Sequence, residues 1–141
     1  SVRRGHGLVY HPGRKAILLF GGGVALPEPR MSDLWALKNN TWTRIDTQGP
    51  APRTLCGFAY DSARDRVVVF GGLGGNNNKY GDTWEWDGQR WEEKYFPARG
   101  ALAGPRDHLA MAYDSKRKCM VVQGGGVYVN DVVWRRDTWE Y

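Results

Sequence analysis

Short apolar runs joined by polar turns recur along the whole chain. Each run is followed by a second one across a polar turn, which is HPGRK, DSARDR or DSKRK. The paired runs occupy residues 7–10 with 16–20, 57–60 with 67–70, and 109–113 with 120–123. Nearly continuous apolar runs of this length predict β-strands that are covered on both faces. No segment has the pattern of a helix of useful length.

A second pair of predicted strands, rich in tryptophan, follows each of these pairs. The third strand of each unit is predicted at residues 34–37, 83–86 and 138–141, and the fourth at 42–45 and 91–94. The polar turns KNN and DGQ join third to fourth strands, and proline-containing links lead to the next unit. The pattern therefore predicts an all-β fold of four-stranded antiparallel units.

The units also repeat residue by residue. Arg3, Arg53 and Arg106 open successive units about 50 residues apart. Further repeated positions are Tyr10, Tyr60 and Tyr113; the glycine pairs after Phe20, Phe70 and Gln123; and the Asp-x-Trp segments that begin at Asp33, Asp82 and Asp137. A repeat of this length with paired glycines is typical of stacked structural units.

The segments AYDSARDRVVVFGG and GDTWEWDGQRW resemble kelch repeats most specifically, and the resemblance covers essentially the whole chain. It implies a β-propeller with the first strand of each blade innermost. It divides the chain into blade 1 at residues 1–52, blade 2 at 53–105 and blade 3 at 106–141, the last without its outer strand. Gln123 departs from the pattern, because an aromatic residue precedes the glycine pair in the other two units.

The glycine-rich stretches do not fit a phosphate-binding loop. A dinucleotide fingerprint needs a third glycine where this chain has Leu26, Asn77 and Val129, and no GK followed by Ser or Thr is present. The glycines are predicted to let the backbone bend or approach a neighbour, and the repeated tryptophans to form core between blades. The structural repeat positions are Gly21, Gly22, Gly71, Gly72, Gly124, Gly125, Trp35, Trp84, Trp139, Trp42 and Trp91.

Repeated charges suggest internal ion pairs. We expect the arginines that open the units to pair with an aspartate of the same or the next blade. The candidate pairs join Arg3, Arg53 and Arg106 to Asp33, Asp82 and Asp137. The alternative is that these arginines form an anion-binding ring at the mouth of the central channel.

The bulk composition narrows the classes of function. The 141 residues are 41% hydrophobic and 25% charged with a net charge of +5, which predicts a globular chain. The densest basic cluster, SKRK at residues 115–118, is predicted to be a hairpin tip, so no nucleic-acid partner is expected. No stretch approaches the roughly 18 apolar residues of a membrane span, and no signal peptide is visible. No membrane partner is therefore expected. The sequence does not indicate the cellular compartment.

Cysteine and histidine spacing gives no sign of a reactive centre. Cys56 and Cys119 are expected to be free thiols. His6, His11 and His108 lack metal-site spacing; His11 is expected to be solvated in a turn, and His108 could face the channel. No catalytic residue, metal or cofactor is therefore predicted, and the chain is not expected to be an enzyme.

Binding is predicted on the loops that join second to third strands and on the links between units, which should share one face of the fold. These are residues 23–32, 73–81 and 126–136, with the links 46–52 and 95–105. Their aromatic, amide and cationic side chains suit protein or carbohydrate recognition. The candidate binding residues are Arg30, Asn77, Lys79, Tyr80, Tyr128, Asn130, Trp134, Arg135 and Arg136, and Trp134 is favoured among them because it does not recur between units.

Three blades do not close a propeller, which usually has four to eight. The chain is expected to be either a piece of a longer propeller or one half of a homodimer with six blades, and its end inside a predicted hairpin favours truncation. The leading hypothesis is a non-catalytic protein-interaction or scaffold module. The alternative is carbohydrate binding, or the propeller part of an enzyme resembling galactose oxidase, although three histidines do not assemble the copper site that such an enzyme needs.

Overall fold

In this computed structural model, residues 2–24, 29–45, 48–95, 103–129 and 131–141 are described, with the side chains of residues 128, 129, 131 and 132 excepted. The described chain is almost entirely β-structure. Its one helical element is the single 3-10 turn Gly75–Asn77. The predicted all-β class is confirmed.

The strands form two complete four-stranded antiparallel sheets, a three-stranded sheet and a separate hairpin. Blade 1 contains β1 (Gly7–His11), β2 (Ala16–Phe20), β3 (Leu34–Lys38) and β4 (Thr41–Ile45). Blade 2 contains β5 (Gly57–Asp61), β6 (Arg66–Leu73), β7 (Lys79–Trp86) and β8 (Trp91–Lys94). Blade 3 contains β9 (Ala110–Asp114), β10 (Cys119–Gln123) and β13 (Thr138–Glu140), and the hairpin contains β11 (Gly126–Val129) and β12 (Asp131–Trp134). The first strands β1, β5 and β9 are neighbours, as the resemblance implies.

Two of the predicted loops are more ordered than the sequence pattern indicated. β6 does not end at the glycine pair but passes through Gly71 and Gly72, with a register shift between Phe70 and Gly72. Because glycine tolerates positive φ, the pair forms a bulge inside the strand rather than a stop. The predicted loop at 73–81 therefore shrinks to the turn around Gly75–Asn77, and the predicted loop at 126–136 contains the β11–β12 hairpin.

The predicted arginine–aspartate pairs are confirmed in all three blades. Arg53, whose side chain is fully buried, donates from both terminal nitrogens to the Asp82 carboxylate at 2.6 and 2.8 Å. The same aspartate accepts a hydrogen bond from the Trp84 indole, and Arg53 also donates to the Gly71 carbonyl at 3.0 Å. The corresponding contacts recur as Arg3–Asp33–Trp35 and Arg106–Asp137–Trp139. Each unit is thus tied together by a forked ion pair that also orients its repeated tryptophan.

These ion pairs hold the aspartates in their charged form. Hydrogen bonds from Arg106 lower the pKa of Asp137 to about 2. Burial would raise the pKa of Asp82, but hydrogen bonding and charge attraction from Arg53 outweigh it and lower that pKa. The anion-binding alternative for the arginines is wrong, because their guanidinium groups are committed to carboxylates inside the blades.

Hydrophobic core lies between neighbouring blades. We call the side of a blade that packs on the preceding blade its leading face, and the other side its trailing face. The core between blades 1 and 2 consists of Leu18, Phe20, Leu34, Phe58, Val67, Val69, Trp86 and Trp91. Between blades 2 and 3, Val68 and Ala59 meet Met120, while Phe70 meets Val122.

The burial of aromatic side chains at the blade interfaces corrects two expectations and adds one finding. Trp91 is buried, but its counterpart Trp42 is 43% exposed because none of the described sheets covers the leading face of blade 1. Trp86, which did not stand out as a repeat position, is fully buried. His11 is not solvated: it is buried against the rings of Tyr60 and Trp86, since its turn lies on the trailing face.

Candidate functional site

The bulged ends of the second strands and the segments that enter the first strands lie together, as predicted. Backbone bridges join Arg4 to Gly23, Thr54 to Leu73, and Asp107 to Gly126. We call this surface the loop face; it comprises the described parts of residues 2–6, 21–33, 51–56, 71–82, 103–109 and 124–137. Its backbone is therefore braced by hydrogen bonds instead of forming free loops.

Three residues with positive φ line up at the inner edge of the loop face. They are Gly5, Leu55 and His108, with φ of 64, 57 and 54°. The Leu55 amide donates to the Gly5 carbonyl at 2.7 Å, and the His108 amide donates to the Leu55 carbonyl at 3.0 Å. Left-handed conformation at a leucine or a histidine is uncommon and persists here because each amide is held by the blade before it.

A buried ion pair anchors the blade 3 end of the loop face to blade 2. The Lys79 ammonium donates to the Asp107 carboxylate at 2.6 Å and to the Gly126 carbonyl at 3.0 Å. The two side chains are only 7% and 4% exposed. Because both charges are removed from water, their pairing fixes β7, the entrance to blade 3 and the β11–β12 hairpin relative to one another.

Next to this pair, His108 and Trp134 form an exposed patch. Nδ1 of His108 lies 3.3 Å from the Asp107 carboxylate, and this contact helps to orient the imidazole ring. The Trp134 ring meets the imidazole edge to face, with centroids 5.7 Å apart, and also lies over Gly126. Trp134 remains 62% exposed. A large aromatic ring is thus held in place while most of its surface stays open.

The remaining predicted binding residues occupy different parts of the loop face. Tyr80 lies under the Arg53 guanidinium at 4.1 Å and belongs, with Lys79, to the internal framework. Asn77 is exposed at the tip of the 3-10 turn, and Arg30 is half-buried where it bridges Gly23. Arg135 and Arg136 are exposed beside Trp134. Tyr128 lies in β11 and its side chain is outside the described part, as is all of Asn130.

Among the predicted binding residues, Trp134, Arg135 and Arg136 therefore lie together on the exposed end of the hairpin. The sequence did not predict that His108 would pack against Trp134, nor that Asp107 would orient His108. The only available signal was the adjacency of an aspartate and a histidine before the third first strand. We call the set His108, Val133, Trp134, Arg135 and Arg136 the hairpin patch; Val133 is 41% exposed.

The hairpin patch has no reactive group beyond the imidazole. Within the described residues, no hydroxyl or thiol is hydrogen-bonded to His108, so the Asp107–His108 pair has no nucleophile to activate. The described ranges also hold no cluster of three His, Cys, Asp or Glu side chains placed to bind a metal. No helix in the described part is long and apolar enough to span a membrane. The arrangement is therefore suited to binding another molecule through an exposed aromatic ring that is followed by two cationic residues.

Both cysteines are free. Burial raises the pKa of the Cys56 thiol to about 11, partly offset by the positive charge of Arg53. The thiol is therefore protonated and weakly nucleophilic at neutral pH. The expectation of free thiols is confirmed.

Comparison with known families agrees with the blade geometry over the full length of the chain. Residues 1–141 match the family described as the KLHDC2/KLHL20/DRC7 Kelch-repeats domain. The chain belongs to this Kelch-repeat family. Kelch-repeat domains typically mediate protein interactions and are generally non-catalytic, and the kelch chain described here has the corresponding β-propeller blades.

The chain is also similar to a short part of a much longer curated protein. Over 106 residues, the kelch chain is 32% identical to the "Dynein alpha chain, flagellar outer arm" of Chlamydomonas reinhardtii. The match covers 70% of this chain and 2% of that relative. The kelch chain therefore spans only a small part of the length of this curated relative.

Proposed function

We propose that this kelch chain is a non-catalytic propeller segment that binds a protein partner through the hairpin patch. The observation that carries the proposal is Trp134, which is held against His108 and is still 62% exposed. A rigid tryptophan loses little conformational freedom when it is buried in a partner, so such residues often supply much of an interface's binding energy.

The charges around Trp134 define the kind of partner surface that fits. Arg135 and Arg136 directly follow Trp134 in the chain and are exposed, whereas the charge of Lys79 is already paired inside the protein. The patch therefore combines an apolar centre with a cationic rim, and it suits a partner with an apolar pocket flanked by acidic side chains.

A scaffold role in a multi-chain assembly is the more specific version of this proposal. Its support is the matching segment in a relative named as a chain of the flagellar outer-arm dynein. In this version the blades hold the hairpin patch rigidly, and additional blades, from a longer chain or from a second copy, complete the propeller.

Site-specific photo-crosslinking tests the proposal. A photoreactive phenylalanine replaces Trp134 in one variant and the exposed Gln89, in the β7–β8 turn, in the control variant. In extracts of the native cells, the variant at position 134 is expected to crosslink a distinct protein that the variant at position 89 does not reach.

The crosslinked protein is then purified and titrated with the wild-type kelch chain and with Trp134→Ala. Loss of an aromatic anchor is expected to weaken binding about 30-fold, the equivalent of about 2 kcal/mol. Identical crosslinking at positions 89 and 134, or an unchanged Kd for Trp134→Ala, would remove the hairpin patch as the binding site.

Carbohydrate binding is the second candidate, because an exposed indole with neighbouring polar groups also suits stacking on a sugar ring. A glycan array read with wild type and Trp134→Ala separates the two functions. Binding to a defined glycan that depends on Trp134, without a protein crosslink, would favour this candidate.

A further inference from the structure

The outermost strands of blades 1 and 2 hold the same position in their sheets but differ in chemistry. β4 has the sequence TWTRI and β8 has the sequence WEEK. Each is the last strand of its sheet, with an outer edge to which no strand in the described part of the chain pairs. Such an edge can add a strand from another chain, and charged side chains on the edge are a common protection against this.

The register of blade 1 shows which backbone groups point outward from β4. Thr41 pairs with Lys38 across the two-residue turn at 39–40, where both residues have positive φ. In a hairpin of this type the residues that flank the turn exchange backbone hydrogen bonds, and hydrogen-bonded pairs then recur at every second position. The N–H and C=O groups of Trp42 and Arg44 therefore point away from β3, toward the outer edge.

The contacts on the other side of β3 agree with this alternation. The Gly21 amide donates to the Asp33 carbonyl at 3.2 Å, and every second pair from there along β2 and β3 is hydrogen-bonded, including Ile17 with Leu37. The backbone groups of Leu37 thus point toward β2 and not toward Trp42, its neighbour on β4. Both ladders assign the same outward groups to β4.

Two copies of β4 fit each other as antiparallel strands about a two-fold axis at Thr43. In this register Trp42 of one copy lies opposite Arg44 of the second copy, and both residues direct their backbone groups to the shared edge, as a hydrogen-bonded pair requires. Thr41 lies opposite Ile45, and Thr43 opposite its own counterpart. No side chains of like charge face each other, and the pairing makes no use of the Arg44 side chain.

The outer edge of β8 does not match itself in this way. The Asp87 amide donates to the Arg90 carbonyl at 3.2 Å, so the same alternation directs the backbone groups of Trp91 and Glu93 outward. Pairing about an axis at Glu92 or at Glu93 would place two carboxylates directly opposite each other. Like charges in that arrangement are destabilising. The outer edge of blade 2 is therefore protected by its own acidic residues, whereas β4 has no acidic residue.

We propose that the outer edge of β4 binds the same edge of a second copy of this chain and joins the two blade 1 sheets into one continuous antiparallel sheet. The occupant is a second copy because the edge is complementary to itself, in the direction of its backbone groups and in its charges. The contact lies on the outermost strand of the blade, so it links kelch segments side by side and is independent of packing between blades.

Opposite charges placed on the two-fold axis test the pairing and its register. In sedimentation, the mass of wild type is expected to rise from 15.9 kDa toward twice that value as the concentration increases. Thr43→Glu and Thr43→Lys each place like charges opposite each other, and each should associate about threefold to fivefold more weakly. An equal mixture of the two variants should restore association, because Glu then faces Lys across the axis.

The matched control changes the equivalent residue of the other outer edge. Glu92→Gln should associate as wild type does, and circular dichroism checks that all variants are folded, as expected because Thr43 and Glu92 are exposed. A wild type that stays at 15.9 kDa throughout the series, or Thr43 variants that associate as tightly as wild type, would overturn the proposal. A mixture that associates no better than the separate variants would also overturn it.

Amide hydrogen exchange of wild type gives a second readout that needs no substitution. Exchange at Trp42 and Arg44 is expected to slow severalfold as the concentration rises, because their N–H groups become hydrogen-bonded to the second copy. Exchange at Trp91 and Glu93, the equivalent positions of β8, should not change. Equal behaviour of the two edges would contradict pairing through β4.

These outcomes are separate from those of the proposed function. The hairpin patch and β4 share no residue, so loss of the Trp134 crosslink leaves the sedimentation and exchange results unaffected. Failure of the β4 experiments likewise leaves binding through the hairpin patch intact.

Discussion

Phe20 at the end of β2 packs against Trp91 in β8, with ring centroids 5.4 Å apart and the ring planes tilted by 53°. The contact joins the innermost hairpin of blade 1 to the outermost strand of blade 2. Trp91 also lies against Gly49, where an added Cβ would come within 2.3 Å of the indole. Cohesion between these blades therefore depends on large rings that pack against small residues.

Replacing Phe20 with alanine should lower the free energy of unfolding by about 3–5 kcal/mol, because it leaves a cavity beside Trp91 and Phe58. Gln123→Ala is the matched control at the same repeat position, and its effect should stay within about 0.5 kcal/mol because Gln123 is exposed. Urea denaturation followed by tryptophan fluorescence measures both. Equal losses in the two variants would contradict the assignment of Phe20 to the core.

Asp82→Asn should destabilise the protein by about 3–5 kcal/mol, because it leaves the fully buried Arg53 guanidinium without its carboxylate. The control is Asp87→Asn, whose ion-pair partner Arg90 is 84% exposed, and its effect on stability should be much smaller than that of Asp82→Asn. Thermal unfolding of both variants ranks the two pairs. A smaller loss for Asp82→Asn than for Asp87→Asn would contradict a structural role for the forked pair.

His11 should make the blade 1–blade 2 interface sensitive to mild acid. Burial lowers its pKa below the ordinary 6.5, with Asp65 acting in the opposite direction and Arg14 reinforcing the shift. The unfolded chain therefore takes up the proton first, so stability is complete above about pH 6.5 and falls as the pH decreases through the folded pKa. Urea midpoints at pH 7.5 and 5.5 measure the loss.

His11→Phe keeps a ring against Tyr60 and Trp86 and should remove much of this pH dependence. His108→Asn, at an exposed histidine, should retain the wild-type dependence. If His11→Phe loses as much stability between pH 7.5 and 5.5 as wild type, another group is responsible.

Cys56 should resist alkylation in the folded protein. With the pKa raised to about 11 from 9.0, its thiolate fraction at pH 8 is about 100-fold lower than in the unfolded chain. Iodoacetamide labelling of Cys119→Ser, which leaves Cys56 as the single thiol, measures this directly. Labelling at the same rate with and without urea would show that the thiol is accessible and ordinarily acidic.

The repeat pattern predicted most of the fold because each unit shows the same chemical positions in the same order. The strands, the Arg53–Asp82 pair and its two counterparts follow from residues that recur at equivalent positions. The role of the Asp-x-Trp tryptophans as donors to those aspartates was not predicted, since a sequence pattern does not show which way an indole N–H points. The boundaries of the three units at residues 52 and 105 remain a prediction.

The candidate site was predicted only in part, because its residues do not repeat. Trp134 stood out as irregular, but its position depends on a hairpin, β11–β12, that no other unit contains. Asp107 and His108 become part of the site through Lys79, which comes from the preceding blade. A contact between residues of different blades has no signature in a local pattern.

The sequence by itself determined the period, the repeated strands of each blade and the ion pair inside each blade, since these depend on neighbours within one unit. Only the tertiary structure decided which equivalent residues are buried. Trp42 is exposed and Trp91 buried, and His11 is buried at the end of β1 next to a polar turn, because burial depends on the adjacent blade and not on the residue's own unit. The same reason leaves Gln123 exposed, although Phe20 and Phe70 are buried at the same repeat position.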